Sequence, residues 1–360
     1  MSERDLWLAV SAVPGIGPRS FYQLLAEFDH LQDFWHTPET EVLERLAALG
    51  QKRLQALLEG RRSFSLEQTL ERLAAAKVQY VTLLDADYPE RLKTIFDPPP
   101  VLYYRGTLSS EDTLAVAVVG SRRATAYGRE VATKIAQELA EAGVTVVSGL
   151  ARGIDSAAHR GALAGHGRTL AVLGCGLDVT YPPENGRLYA QIAEQGAVLS
   201  EFPLGTPPEA RNFPLRNRVI SGLSRGVLVV EAARTSGSLI TADCALEQGR
   251  DVYAVPGPIT SPYSWGTNNL IKQGARVVQG VQDVLVELGL EYREDQTRRL
   301  PDLTDQEEKV YSFFSERSIH IDELVRLSGL TTQEVTTVLM MLELKGLVRQ
   351  LPGKMFFRLP

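Results

Sequence analysis

The chain has 360 residues, 44% hydrophobic and 23% charged, with 38 Lys+Arg against 44 Asp+Glu and a formal charge of −6. That is the composition of an ordinary globular protein of two or three domains, and its acidic balance argues against a basic nucleic-acid binder overall. The two cysteines, Cys175 and Cys244, are too few for a disulfide framework or a cysteine zinc site. No run of about 18 apolar residues suggests a membrane span. The start, Met1-Ser2-Glu3-Arg4-Asp5, lacks the apolar stretch of a secretory signal. The expected compartment is therefore the cytoplasm, with no membrane partner.

Residues 1–62 read as short helices. Gly15-Ile16-Gly17 sits between helical segments Leu6–Val10 and Phe21–Phe28, the pattern of a helix-hairpin-helix, where a tight glycine turn can bring backbone N–H groups to a phosphate. A plain helical hairpin is the other reading. Residues 63–110 form a connector, with a strand over Val78–Leu84, a rigid Asp97-Pro98-Pro99-Pro100 stretch and a strand over Val101–Arg105. From Leu114 the pattern changes to apolar runs near 114–120, 144–149, 170–175, 197–202, 226–232, 251–257 and 275–280, alternating with helical segments such as Gly128–Ala142 and Asp155–Ala164. Strands that are apolar on both sides and alternate with helices predict a doubly wound α/β domain with a mostly parallel sheet over 63–290. A polar linker over 291–303 follows. Residues 304–360 then predict three helices and a hairpin around Pro352-Gly353-Lys354, the winged-helix pattern.

Ligands of such sheets bind beyond the C-terminal strand ends. The first central strand runs into Gly120-Ser121-Arg122, and the second into Gly149-Leu150-Ala151-Arg152-Gly153, where Asp155 is expected as the helix N-cap. Glycine, hydroxyl and arginine at a helix start suit a phosphate, although tight turns alone also demand glycine. Neither a dinucleotide fingerprint nor an ATPase P-loop is present. Between Ala115 and Ile240 there are 13 Lys+Arg and 10 Asp+Glu, so this region is +3 and the remainder −9. Its densest cations lie in Arg211–Arg218. There Arg216 and Arg218 are expected on phosphates, Asn217 on a base edge, and Phe213 either stacked on a base or packed in the core. Ser236-Gly237-Ser238 offers a further donor nest at a helix start, and Trp265–Asn269 either lines the same edge or caps. The five histidines have no metal-ligand spacing, no carboxylate pair suits acid–base work, and Cys175 reads as a buried thiol. No catalytic residue, metal or cofactor is expected.

The ordered motifs Val118–Arg122, Ser148–Asp155, Phe213–Arg218, Ser236–Ala242 and Val255-Pro256-Gly257 closely resemble the DNA-processing protein A (DprA/Smf) family over roughly residues 70–290. The resemblance implies a Rossmann-like domain flanked by an N-terminal helix-hairpin-helix or SAM-like domain and a C-terminal winged helix. It implies a homodimer formed through the Rossmann-like domain, without nucleotide hydrolysis. It further implies binding and protection of incoming single-stranded DNA in natural transformation, and help in loading the RecA recombinase. The family's contacts carry over to Gly120, Ser121 and Arg122 and to the Arg216–Arg218 loop. Contacts at Gly149, Arg152, Gly153 and Ser236–Ser238 are expected from strand-end geometry.

The rival is an enzyme, a nucleotide-processing hydrolase resembling the lysine-decarboxylase-like phosphoribohydrolases. Those carry a Pro-Gly-Gly-x-Gly-Thr turn followed by a catalytic glutamate. Here the turn is Ala233–Ser238, and no glutamate follows in the next helical turn. A third reading gives the winged helix a duplex-reading role, which its few cations among several acids do not favour over a protein contact.

Overall fold

The computed structural model describes residues 1–290, 303–314, 318–351 and 353–358. The chain divides into two compact units, Met1–Tyr292 and Arg293–Pro360. The expected linker lies outside the described residues except for its last residue, Leu303.

The first unit is built on nine strands: β1 (Gln79–Thr82), β2 (Val101–Gly106), β3 (Ala115–Val119), β4 (Thr145–Ser148), β5 (Thr169–Leu173), β6 (Ala197–Ser200), β7 (Gly226–Val229), β8 (Asp251–Ala254) and β9 (Arg276–Val277). They form one sheet in the order β1-β2-β6-β5-β4-β3-β7-β8-β9. All neighbours from β6 to β9 are parallel, while β1 and β2 add an antiparallel edge. Every residue of β3 to β7 is buried, which is why these strands read as continuous Val, Ala and Leu runs.

Successive residues of β3 feed opposite faces. Val116 and Val118 pack beneath Ile135, Leu139 and Ala158 of the helices Ala126–Glu141 and Ile154–Ala164. Ala115, Ala117 and Val119 pack beneath Val219, Ile220 and Ala242 of the helices Asn212–Gly222 and Gly237–Glu247. The chain steps outward from β3 to β6 and then returns to place β7 on the other side of β3. The strand order therefore reverses between β3 and β7, and the crevice at such a reversal is where this class of sheet binds ligands.

The N-terminal helices share their core with the sheet: Leu8, Phe21 and Phe34 cluster with Val101, Tyr103 and Val198. The helices Glu3–Ser11 and Pro18–Glu27 flank Gly15, at φ +85°, and Gly17, which caps a helix beginning with proline. The triple-proline stretch is pinned by tyrosines, with Tyr22 Oη donating to the Pro98 carbonyl at 2.9 Å and Tyr88 Oη to that of Pro99 at 2.8 Å.

In the second unit the helices Asp305–Tyr311, Ile321–Ser328 and Thr332–Leu344 pack on β10 (Ile319–His320), β11 (Val348–Leu351) and β12 (Met355–Arg358). The strand order is β10-β12-β11, with Leu351 opposite Met355 across the expected hairpin. Thr304 and Thr331 each close a capping box, and Gly329 ends a helix at φ +67°. Among the described residues, no helix is long and apolar enough to cross a membrane.

Candidate nucleic-acid interface

The β3 and β4 turns lock together at the switch point. Ser121 N donates to the Glu231 carbonyl at 2.7 Å, and Ile154 N donates to the Ser121 carbonyl at 3.2 Å. Gly153 takes φ +79° and ψ −123°. A Cβ on it would stand 2.2 Å from the Ser121 carbonyl oxygen, so only glycine permits this approach. Leu150, fully buried, holds φ +53°, a strained conformation for a branched side chain. The Glu231 carboxylate accepts from Thr125 N at 2.9 Å and Thr125 Oγ1 at 2.6 Å, and so fixes the start of the helix Ala126–Glu141.

These turns open onto a cleft lined by Arg122, Gly149, Ala151, Arg152, Leu173, Gly174, Cys175, Tyr181, Pro182, Phe213 and Arg216. Arg122 is exposed, and its guanidinium lies 4.8 Å from the centre of the Phe213 ring. Tyr181 meets the same ring at 5.5 Å with a 33° tilt. The cleft thus presents an exposed guanidinium beside two half-buried aromatic rings, and no carboxylate is among its described lining residues. At its lip, exposed Arg152 is held by both Glu184 oxygens, one of them at 3.1 Å. Burial pushes the Cys175 thiol up to about 11, so it stays protonated and inert at neutral pH.

Beyond β7, Ser236 caps the helix Gly237–Glu247 and its hydroxyl lies 2.8 Å from that of Ser238. A Cβ on Gly237 would meet nothing within 4 Å, so the turn faces open space. Exposed Arg234 lies 5.1 Å above the Trp265 ring, itself 43% exposed. The turn Gly15–Gly17 is not among the cleft's lining residues.

A family profile described as DNA recombination-mediator protein A matches residues 79–289, and one described as the DprA winged helix domain matches 294–354. The chain belongs to this DprA family. It is 37% identical to Protein Smf of Synechocystis over 99% of both chains, and 44% identical to Protein Smf of Escherichia coli over 75% of this chain and 76% of that one. It resembles the crystal structure of DprA from Streptococcus pneumoniae at TM-score 0.70 and 36% identity, covering 81% of this chain and all of that one. A DprA from Helicobacter pylori, described by its single-stranded DNA binding mode, matches at TM-score 0.54 and 32% identity over 61% of this chain and 99% of that one.

For this DprA-family chain, the structure revises several of the residue-level expectations. Arg216, Asn217 and Arg218 belong to the helix Asn212–Gly222 and are 4%, 8% and 9% exposed. Arg216 donates Nη1 to the carbonyls of Gly149 (2.8 Å) and Val172, tying the ends of β4 and β5 together. Burial brings its pKa down to about 10, against the favourable charge of Asp155. Asn217 donates to the Gly237 carbonyl at 3.2 Å, holding the Ser236–Ser238 turn. Arg218 faces away from both, bonded to the Asp97 carbonyl at 2.7 Å and paired with the buried Glu201. The three residues expected to touch DNA therefore spend their donors on the scaffold, with only Arg216 reaching the cleft floor. Asp155 is not the N-cap. Gly153 is, and Asp155 sits at the second helical position, its carboxyl pushed up by burial and drawn back by Arg216.

Gly120, Ser121, Gly149 and Gly153 are found as turn-formers at the switch point, with Arg122, Arg152 and Phe213 around the opening. Phe213 is neither core nor free: it forms the cleft wall. Sequence reasoning missed Tyr181 and Glu231. The available signals were an aromatic shortly after the glycines that end β5, and a carboxylate closing an otherwise apolar run.

Proposed function

We propose that this chain binds single-stranded DNA across the strand-end cleft. Arg122 neutralises a phosphate, Phe213 and Tyr181 stack against a base, and the open Ser236–Ser238 turn takes a further phosphate. Stacking on aromatics with arginines along the backbone is how sequence-tolerant single-strand binding is built. The single observation that carries this is the exposed Arg122 guanidinium over the Phe213 ring, which Tyr181 flanks, in a cleft with no carboxylate among its described lining residues. The family, and the Helicobacter pylori relative described by its single-strand binding mode, support the choice of ligand. In this reading the protein shields incoming DNA in the cytoplasm during transformation and helps load the RecA recombinase, as a homodimer through the Rossmann-like domain and without catalysis.

The test is fluorescence anisotropy with an oligothymidylate, a duplex and a nucleoside monophosphate, at several salt concentrations. Arg122→Ala should weaken single-strand binding by about 1–3 kcal/mol and reduce the salt slope by roughly 0.7. Unchanged affinity and slope in this variant would remove the cleft from the DNA path. Release of free base from the monophosphate would restore the hydrolase reading.

A further inference from the structure

At the end of the sheet opposite the cleft, three arginines converge with no acid among them. Gly226 of β7 is in register with Asp251 of β8, so Arg225 and Arg250 occupy matching positions one residue before the two parallel strands. Arg250 Nη2 reaches the Arg91 carbonyl at 3.1 Å and Thr94 Oγ1 at 3.0 Å, bringing the third arginine alongside. Arg91 donates Nε to the Thr113 carbonyl at 2.9 Å. Among the described residues, none of the three has an ion pair, and the Arg225 side chain makes no hydrogen bond. The Nε atoms of Arg225 and Arg250 are buried without partners. Burial, and then the charges of Arg225 and Arg250, hold Arg91 below the usual arginine range.

Three like charges side by side, each partly desolvated, oppose folding unless something neutralises them. The acids nearest in sequence are engaged elsewhere: Glu90 pairs with Lys93, and Asp251 with Arg276. We propose that Arg91, Arg225 and Arg250 form a phosphate-binding site. Guanidinium groups from the helix Glu90–Lys93 and from the residues just before β7 and β8 approach from different elements, and a tetrahedral oxyanion has enough acceptor oxygens to meet all three. The ligand is a phosphate group, carried either by a nucleic-acid backbone or by a free anion. Only the nucleic-acid source rests on the reading of the cleft given above.

The full chain is melted in chloride and in inorganic phosphate at matched ionic strength. Phosphate at about five times its Kd should raise the wild-type Tm by about 2–4 °C, and the shift should grow with the logarithm of its concentration. Arg225→Gln should melt at or above the wild type in chloride, because the repulsion is relieved, and should lose the phosphate effect. Arg250→Lys, which keeps the charge but not the fork, should retain part of it. Arg62→Gln, at an exposed arginine paired with Glu39 and outside both sites, should keep it fully, which separates this site from general anion binding to surface arginines. A phosphate effect absent in the wild type, or undiminished in Arg225→Gln, overturns the proposal. A hexaglutamate peptide that raises Tm where phosphate does not also overturns it, in favour of an acidic protein partner. Oligothymidylates then identify the source. If Arg225→Gln weakens binding of long oligomers several-fold and spares short ones, the phosphate belongs to DNA. If it spares both while losing the Tm effect, the ligand is a free phosphate anion.

Discussion

Arg216 decides whether the arginine-rich helix is a contact or a scaffold. Arg216→Ala removes a guanidinium that is 4% exposed, together with its hydrogen bonds to the carbonyls of Gly149 and Val172. Hydrogen bonds from a charged donor are worth about 1.5–3 kcal/mol each, and two buried carbonyls at the ends of β4 and β5 would each lose a charged donor. Asp155 would also lose the charge that draws its carboxyl back down against burial. The expected loss of stability is about 3–5 kcal/mol, the range for breaking a buried charged network by removing one member. Denaturant unfolding followed by tryptophan fluorescence measures it cleanly, because Trp7, Trp35 and Trp265 all lie in the first unit. Arg122→Ala provides the contrast. Its stacking on Phe213 at an exposed site is worth about 0.5–1 kcal/mol, so its stability should barely change while its DNA affinity falls. A variant Arg216→Ala with wild-type stability and weakened DNA binding would refute the scaffold role and return this residue to the contact surface.

Gly153→Ala should destabilise the first unit by at least about 2 kcal/mol, since the positive φ and a Cβ 2.2 Å from the Ser121 carbonyl both oppose it; a melting curve reads this directly. His159 is fully buried, with Nδ1 2.7 Å from Thr169 Oγ1, and burial lowers its pKa from 6.5 to about 3. The unfolded chain therefore takes up a proton that the folded one refuses. Stability is full above the unfolded pKa and is lost as pH falls, by about 1.6 kcal/mol between pH 6.5 and 5, a range above the usual carboxylate titrations. His159→Gln should flatten that part of the profile in denaturant unfolding, and an unchanged slope would assign the proton elsewhere. Glu184→Gln frees Arg152 at the cleft lip, and single-strand affinity should rise by at most about five-fold, with a steeper salt dependence in anisotropy titrations.

The strands were legible because burial on both faces leaves no polar alternation, and β3 to β7 are buried at every position. The turns were legible for a related reason: a backbone approach as close as that of Gly153 to Ser121 leaves glycine as its mark in the sequence. The arginines were harder, because their meaning depends on a helix's rotation. Residues 216, 217 and 218 are consecutive on a helix, about 100° apart, so they cannot share one surface. They point instead to three partners: the ends of β4 and β5, the turn at Gly237, and the Asp97–Glu201 pair. A helix packed against the sheet on one side and the connector on another buries all three. Phe213 stands three residues before Arg216, hence on the same face, and that spacing accounts for why these two alone reach the cleft. The same logic explains the uncompensated arginines at the far end. Arg91, Arg225 and Arg250 are scattered over 160 residues and carry no motif, and only the parallel register of β7 and β8 brings two of them side by side. A cationic cluster made by register is invisible to composition, whereas one made by consecutive residues looks like a single site and here is divided among three partners.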